Sequence, residues 1–269
     1  PRAVRHVSAG LRRVHLDFNI NPWIKKKIFD LGDVALPHAN NNEKCIEDIT
    51  NFYKKIAREN KHVVSIGGDH SITGGILQGL GSNDLEMTKG KKISFLHIDA
   101  HTDTYSQLDH FLGAKKSAAH WGAYLVNQGI IDPKTSMQIG MRGNPRTLDW
   151  LQPSYDLGYN VVTMDEFQKR GIDDVIKETL EKIGDNPIYI TFDLDSLDAS
   201  VAPAVANIEP SFNGFTIDEA KALIQSVKNK NVIGGDVVCL MPTKDQKNNI
   251  TSMVAASIMF EIISVIAYK

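Results

Sequence analysis

The sequence has few cysteines, little excess charge of either sign and no long uninterrupted hydrophobic run. Its 269 residues include two cysteines, Cys45 and Cys239, which cannot form a disulfide framework and suit a reducing cytoplasm. The formal net charge of -2 predicts no electrostatic attraction to nucleic acid or to a membrane surface. No stretch approaches the roughly 18 apolar residues that span a bilayer. These absences favour a cytoplasmic protein and give no sign of a nucleic-acid or membrane partner.

Short runs rich in Val, Ile and Phe alternate with segments of helical periodicity. The predicted strands lie at 62–67, 92–99, 136–141, 159–164, 187–195 and 231–240. Apolar residues at helical spacing predict helices at 42–60, 216–229 and 251–269. Thr216 precedes Glu219 by three residues, the spacing of a capping box. Strands that are apolar nearly throughout indicate a parallel sheet covered on both faces, so we expect one α/β domain of three layers, α/β/α, around a mostly parallel sheet.

Carboxylates and imidazoles cluster where three of the predicted strands end. The patterns are Asp-x-His-x-Asp in "HIDAHTDTY" (97–105), Asp-x-Asp in "FDLDSLDAS" (192–200) and Gly-Gly-Asp-His in "SIGGDHSIT" (65–73). Alternate side chains of an extended chain share a face, and ligand sites of open parallel sheets lie beyond the carboxyl ends of the strands. We therefore expect six side chains to converge: His70, Asp99, His101, Asp103, Asp193 and Asp195.

The charge of this cluster predicts a metal site. Crowded carboxylates repel one another, and removing them from water costs several kcal/mol each unless a positive charge is near. The three motifs contain no Lys or Arg, so a divalent cation is the simplest counter-charge. Mixed His and Asp ligands suit Mn²⁺, Fe²⁺, Co²⁺, Ni²⁺ or Zn²⁺ rather than Ca²⁺. Four carboxylates and two imidazoles fit two ions better than one.

The three motifs resemble the metal-binding motifs of the ureohydrolases, the arginase and agmatinase family. The resemblance extends from "PRAVR" (1–5) to the last helix, and "IDPKTSMQIGMRG" (131–143) is similar to the agmatinase branch. It implies an arginase-like fold, a centre of two Mn²⁺ ions, and hydrolysis of a C–N bond in a guanidino compound to urea and an amine. It also implies a homo-oligomer, because members of the family form trimers or hexamers.

Carried over position by position, the resemblance assigns a ligand set to each ion. One ion would be held by His70, Asp99, Asp103 and Asp193. The other would be held by His101, Asp99, Asp193 and Asp195, with Asp99 and Asp193 bridging the two.

Two further residues receive catalytic roles from the resemblance. Asp103 would accept a hydrogen bond from the metal-activated water that attacks the guanidinium carbon. His120 in "SAAHWGAYL" (117–125) resembles the family's proton-shuttling loop histidine, although Trp121 interrupts the usual His-Gly pair. The alternative for His120 is a core or surface histidine. His97 lies on the same strand face as Asp99, and we expect it to support the site from behind rather than to bind metal.

The sequence departs from the family pattern at the substrate position. The family's Asp-Val-Val-Glu segment, whose Glu pairs with the guanidinium, reads "DVVCLMP" (236–242), with Cys239 in place of Glu. A thiol is mostly neutral at pH 7, and losing a charge-assisted pair costs on the order of 1.5–3 kcal/mol. Glu209, in "ASVAPAVANIEPSFNGFT" (199–216), is a candidate replacement carboxylate. The family's first strand and its Pro-Phe-Asp loop are also absent before Pro1, so we expect a single domain over 1–269 that lacks this strand.

Several functions remain open at this point. An agmatinase-like hydrolase fits the overall pattern, with an arginase, a guanidino-acid hydrolase or a formimidoylglutamase as close variants. A different class is a metal-binding family member with little or no catalysis, because Cys239 replaces the usual Glu. A nucleotide-sugar transferase with an Asp-x-Asp motif explains neither the Asp-x-His-x-Asp nor the Gly-Gly-Asp-His pattern.

Overall fold

Six parallel strands form the central sheet of the protein. A computed structural model describes residues 1–81, 85–106, 108, 113–209 and 213–269. The strands are β1 (Val63–Ile66), β2 (Ser94–Ile98), β3 (Met137–Met141), β4 (Asn160–Thr163), β5 (Pro187–Asp193) and β6 (Asn231–Val238). They pair in the order β1-β6-β5-β2-β3-β4, and every pair is parallel. All six predicted strands are confirmed, each within its predicted range.

Helices connect the strands. They are α1 (Arg2–Ser8), α2 (Pro22–Lys25), α3 (Asn42–Arg58), α4 (Ser71–Leu80), α5 (Trp121–Asn127), α6 (Gln152–Leu157), α7 (Met164–Arg170), α8 (Ile172–Ile183), α9 (Ile217–Ser226) and α10 (Ile250–Tyr268). The predicted helices correspond to α3, α9 and α10. Asn41 begins α3 by accepting a hydrogen bond from the backbone N–H of Lys44, and the predicted capping box of Thr216 and Glu219 begins α9.

Two hydrophobic cores lie on opposite faces of the sheet. Successive strand residues point to opposite faces, and in β5 Ile188 and Ile190 belong to one core while Tyr189 belongs to the other. The first core also contains residues of α7, α8, α9 and α10, and the second contains residues of α3, α4 and α5. Both faces of the sheet are therefore covered by helices, and the predicted three-layer α/β/α architecture is confirmed.

The C-terminal helix α10 corrects one expectation. It is 19 residues long and apolar enough, by length and composition, to cross a membrane. The expectation that no stretch approaches this length is therefore wrong. More than half of this apolar stretch is nevertheless buried inside the protein. Glu261 of α10 accepts a buried hydrogen bond from His15, at 2.8 Å between Oε2 and Nε2, because Nδ1 of His15 accepts from the backbone N–H of Phe18. These contacts make α10 a core helix of this fold, where an apolar surface on nearly all sides is needed for burial.

The capping box at the start of α9 gives a stability prediction. The hydroxyl of Thr216 accepts from the backbone N–H of Glu219 at 3.2 Å, and the Glu219 carboxylate accepts from the backbone N–H of Thr216 at 2.8 Å. We expect Thr216→Ala to lower the free energy of unfolding by about 1 kcal/mol in urea denaturation followed by circular dichroism. Thr216→Ser keeps the accepting hydroxyl and should stay close to wild type. Equal losses in both variants would contradict the role of the cap.

Candidate metal centre

The three acidic motifs meet beyond the carboxyl end of the sheet. Asp99 directly follows β2, Asp193 is the last residue of the neighbouring strand β5, and His70 directly precedes α4 after β1. Gly67 lets the side chains of Ile72 and Val238 pack against the backbone here, because a Cβ at this position would clash with Cδ1 of Ile72. Asp103 adopts a positive φ of 51°, a left-handed conformation that Asp tolerates better than most residues. The predicted convergence at this edge is what the structure shows.

The first donor set surrounds the imidazole of His70. Its Nδ1 atom lies 2.9 Å from Oδ2 of Asp99, 3.0 Å from Oδ2 of Asp103 and 3.4 Å from Oδ2 of Asp193. Although these oxygens are close, the buried Nδ1 atom has no hydrogen bond with acceptable alignment to any of them. A buried nitrogen that faces three carboxylate oxygens without a hydrogen bond is the arrangement expected of a metal ligand.

The second donor set surrounds His101. The Nδ1 atom of His101 lies 3.4 Å from Oδ1 of Asp99 and 3.4 Å from Oδ2 of Asp195. Oδ1 of Asp195 is buried and has no hydrogen-bond partner. Asp99 thus presents one carboxylate oxygen to each histidine, and each donor set has a buried atom without a partner. The residues fit two adjacent divalent cations.

Charge supports the same interpretation. Asp195 is buried, and burial followed by the charge of Asp193 raises the pKa of its carboxyl well above the usual value. A carboxyl in this environment holds its proton unless a positive charge stabilises the ionised form. Arg142 is buried near the site, but it donates to the backbone carbonyls of Asp195 and Leu197, at 2.9 and 3.2 Å, rather than to these carboxylates. Arg142 therefore fixes the chain after β5 and leaves the charge of the cluster for a cation.

His97 is buried beside the first donor set and contacts Asp99, in keeping with the expectation that it assists the site rather than binds metal. Its Nε2 atom lies 2.7 Å from Oδ2 of Asp99, and its Nδ1 atom lies 3.2 Å from the side-chain nitrogen of Gln138. The same Gln138 nitrogen donates to the carbonyl of Thr102 at 2.6 Å, which identifies it as the amide nitrogen. Nδ1 of His97 must then accept, so Nε2 carries the proton and donates to Asp99. A protonated Nε2 orients Asp99 and is not available as a ligand.

The tryptophan that interrupts the family's His-Gly pair is part of the site. Trp121 is fully buried, and its indole N–H donates to Oδ2 of Asp103 at 2.9 Å. Its ring centroid lies 5.0 Å from the ring of His70 and 5.0 Å from the ring of His97. Trp121 therefore orients the carboxylate of Asp103, and its ring packs against the imidazoles of His70 and His97. A fully buried Trp requires a hydrogen-bond acceptor for its N–H, but that requirement does not reveal Asp103 as the acceptor in advance.

His120 is buried, with both ring nitrogens engaged. Nδ1 lies 2.8 Å from the hydroxyl of Ser117, and Nε2 lies 2.8 Å from the carbonyl of Leu108. These partners belong to its own loop and not to the two donor sets. The shuttle role of His120 stays a prediction, and its use would require the ring to exchange one of these partners for substrate.

Cys239 and Glu209 both lie at the site. The Cys239 thiol is beside Asp193, and burial followed by the charge of Asp193 raises its pKa well above the usual value, so the thiol is neutral near pH 7. Glu209 places Oε1 2.8 Å from Nε2 of His101, and its carboxylate fills the space above Gly143, where a side chain would clash with it. The structure thus brings a carboxylate to the second donor set from the loop in which the sequence suggested one.

The fold and the site together define a metal-binding α/β/α protein with paired His and Asp donor sets at the carboxyl edge of its sheet. The Arginase family model matches residues 1–264, and the chain belongs to the arginase family. The predicted membership of the ureohydrolases, and with it the prediction of a hydrolase, is confirmed.

Individual relatives match along the whole chain. The mitochondrial guanidino acid hydrolase of Homo sapiens is 33% identical over 263 residues, covering 98% of this chain and 71% of that protein. The agmatinase of Enterobacter sp. (strain 638) is 32% identical over 274 residues, covering 100% of this chain and 81% of that protein. Among solved structures, proclavaminate amidino hydrolase from Streptomyces clavuligerus superposes with a TM-score of 0.88 at 27% identity, covering 100% of this chain and 85% of that chain.

The shared position of Asp99 in both donor sets gives a metal-binding prediction. We expect Asp99→Asn to reduce the Mn²⁺ content from two ions per chain to fewer than one, because both sets lose an anionic oxygen. The measurement is plasma mass spectrometry after equilibrium dialysis, with circular dichroism to verify folding. Asp69→Asn is the matched control, since Asp69 is exposed and adjacent to His70 in the chain. Two tightly bound ions in Asp99→Asn would refute the shared position.

Proposed function

We propose that the protein is a hydrolase with two Mn²⁺ ions that cleaves a C–N bond of a guanidino compound and releases urea and an amine, as an agmatinase does. The observation that carries this proposal is the pair of donor sets that share Asp99, each with a buried atom lacking a hydrogen-bond partner. An oxygen-rich set with two imidazoles suits Mn²⁺.

The proposed ligand sets follow the family pattern. One ion would be held by His70, Asp99, Asp103 and Asp193, and the other by His101, Asp99, Asp193 and Asp195. The short distances around Nδ1 of His70 and of His101 support both sets. Asp193 uses Oδ1 to accept from the backbone N–H of Asp195 at 2.9 Å, and its Oδ2 faces His70.

The chain's own residues would then bind and orient the reactants. The metal pair, when bound, supplies a water of lowered pKa that is nucleophilic near neutral pH. Asp103 would accept a hydrogen bond from that water, and the indole N–H of Trp121 holds its carboxylate in place at 2.9 Å. The leaving amine must receive a proton, and His120 is the proposed donor. Trp121 also limits water access from the side of the hydrophobic core.

The guanidinium requires a carboxylate, and we infer that Glu209 provides it in place of the family's Glu. Glu209 lies against His101 with its side chain 11% exposed, at the edge of the second donor set. Cys239, neutral in its environment, offers at most a weak hydrogen bond to a cationic substrate. A partly buried carboxylate has the charge that a guanidinium pairs with, and a thiol does not.

The wider setting is proposed from the family and from the chain's composition. Residues of both cores contact one sheet, which supports a single domain over 1–269. We propose a homo-oligomer of the trimeric or hexameric kind, with no nucleic-acid or membrane partner. Both cysteines are free thiols in the structure, which supports a reducing compartment such as the cytoplasm.

Substrate hydrolysis tests the proposal directly. With Mn²⁺ supplied, we expect urea release from at least one member of a panel of agmatine, arginine, guanidinobutyrate and guanidinopropionate. The panel reflects relatives that include an agmatinase and a guanidinopropionase. If two ions are bound and no compound gives product, the second candidate is favoured: a metal-binding family member without efficient catalysis, as the replacement of the usual Glu by Cys239 suggests.

The role of Glu209 gives a separate prediction. We expect Glu209→Gln to raise KM for the preferred guanidino substrate about 10- to 100-fold, the effect of losing one charge-assisted hydrogen bond. Metal content should stay at two ions, because the amide still contacts His101. Glu181→Gln, at an exposed position of α8, is the matched control. An unchanged KM in Glu209→Gln would remove Glu209 from the substrate site.

The complementary change is Cys239→Glu, which restores the family residue. If Glu209 already binds the guanidinium, a second carboxylate adds little, and we expect KM to fall less than about tenfold in steady-state kinetics. A much larger gain would show that the position of Cys239 still governs guanidinium binding.

A further inference from the structure

A row of buried polar side chains crosses five strands directly beneath the metal centre. The register of the sheet places these residues side by side: Ser65, Asp236, Thr191, His97 and Gln138. All are buried, and Thr191 and His97 each stand two residues before a candidate ligand. At one end of the row, Gln138 contacts His97, and His97 in turn donates to Asp99. The Asp236 end has no part in the proposed reaction.

Asp236 is a fully buried carboxylate with three hydroxyl neighbours. Its Oδ1 accepts from Thr191 at 2.7 Å, and its Oδ2 accepts from Thr73 at 2.8 Å and from Tyr189 at 2.9 Å. Buried carboxylates are costly, and removing a partner of such a group is strongly destabilising. Of these three neighbours, Thr191 is the one whose hydroxyl also contacts the side chain of a candidate metal ligand, and the Thr73 hydroxyl lies 3.5 Å from the Thr191 hydroxyl.

Thr191 links Asp236 to His70. Its hydroxyl oxygen lies 2.7 Å from Nε2 of His70. A hydroxyl carries one proton, so Thr191 can donate to Asp236 and accept from His70 at the same time. A cation at Nδ1 of His70 requires the lone pair on that atom, which leaves the proton on Nε2. The hydrogen bonds then have one possible direction, from His70 to Thr191 to Asp236.

We propose that Asp236 and Thr191 are positioning residues that fix the tautomer and ring orientation of His70 for metal binding. The inference rests on the proposed function, because it assumes a cation at Nδ1 of His70. The relay reaches His70 and has no contact with His101, which has Glu209 at its own Nε2. Its loss should therefore weaken one ion of the pair selectively. General destabilisation would not distinguish the two ions.

The test uses Thr191→Val, which replaces the hydroxyl with a methyl group of similar size. In calorimetric titration of the metal-free full chain with Mn²⁺, we expect one ion to bind as in wild type and the other to bind about 10- to 100-fold more weakly. For Thr191→Val with one equivalent of Mn²⁺, the electron paramagnetic resonance spectrum should be that of isolated ions. Wild type with two equivalents should show the spectrum of a spin-coupled pair.

Three further variants separate positioning from folding. Thr191→Ser keeps the hydroxyl and should restore both ions. Asp236→Asn keeps the shape but weakens the acceptor, so its effect should fall between those of Thr191→Ser and Thr191→Val. Thr179→Val is the matched control, since Thr179 is a fully buried threonine of α8 that bonds only within its own helix, to the carbonyl of Val175.

The possible results are distinct. Selective loss of one ion in Thr191→Val, with rescue by Thr191→Ser, supports the relay. Two ions of wild-type affinity in both Thr191→Val and Asp236→Asn overturn it, as does equal weakening of both ions. If wild type itself binds no Mn²⁺, the proposed function fails together with the inference, whereas a normal wild type with unaffected variants removes the inference alone.

Discussion

The structure depends on the crowding of buried carboxylates at one edge of a parallel sheet. Asp99, Asp193 and Asp195 are almost fully buried and lie around two imidazoles. Within the described part of the chain no Lys or Arg forms an ion pair with them, and the buried Arg142 donates to backbone carbonyls instead. Repulsion and desolvation would disfavour this arrangement unless cations occupy the centre. The sheet therefore carries an electrostatic cost that a bound cation would remove, so that metal binding would also stabilise the fold.

Parallel pairing is what makes the arrangement possible. All strands end at the same edge of the sheet, so equivalent residues of neighbouring strands form rows that run across it. Residues two positions apart in one strand point to the same face and belong to successive rows. The last row contains the candidate ligands Asp99 and Asp193. The second layer, the row two residues earlier, contains the polar side chains of His97 and Thr191, which contact candidate ligands. Each of the five strands contributes one polar residue to this second layer, as Ser65 does in β1 and Gln138 in β3. Support for the ligands thus comes from rigid strands rather than from loops.

Much of this was predictable from the sequence. The six strands follow from continuous apolar runs, and the positions of the candidate ligands follow from motifs just after those runs, in which acidic and histidine residues alternate with other residues. The membrane-length character of α10 was missed because scattered Thr, Ser and Glu residues hide a helix that is apolar on average. The contacts of Trp121 with Asp103, and of Thr191 with Asp236, join residues 18 and 45 positions apart. Such pairs depend on strand order and register, which one sequence does not contain.

The chain departs from the family pattern at Cys239 but keeps all six candidate ligands, and the structure places Glu209 beside one of them. The candidate ligands lie at or just beyond strand ends that also hold the core together. Glu209 comes from the loop between β5 and α9, which tolerates change because its backbone is not part of the sheet. Its carboxylate nevertheless reaches His101 at 2.8 Å. Cys239, which directly follows β6, is thus accompanied by a carboxylate from a neighbouring loop beside the same candidate metal centre, the arrangement expected if Glu209 takes over the pairing with a cationic substrate.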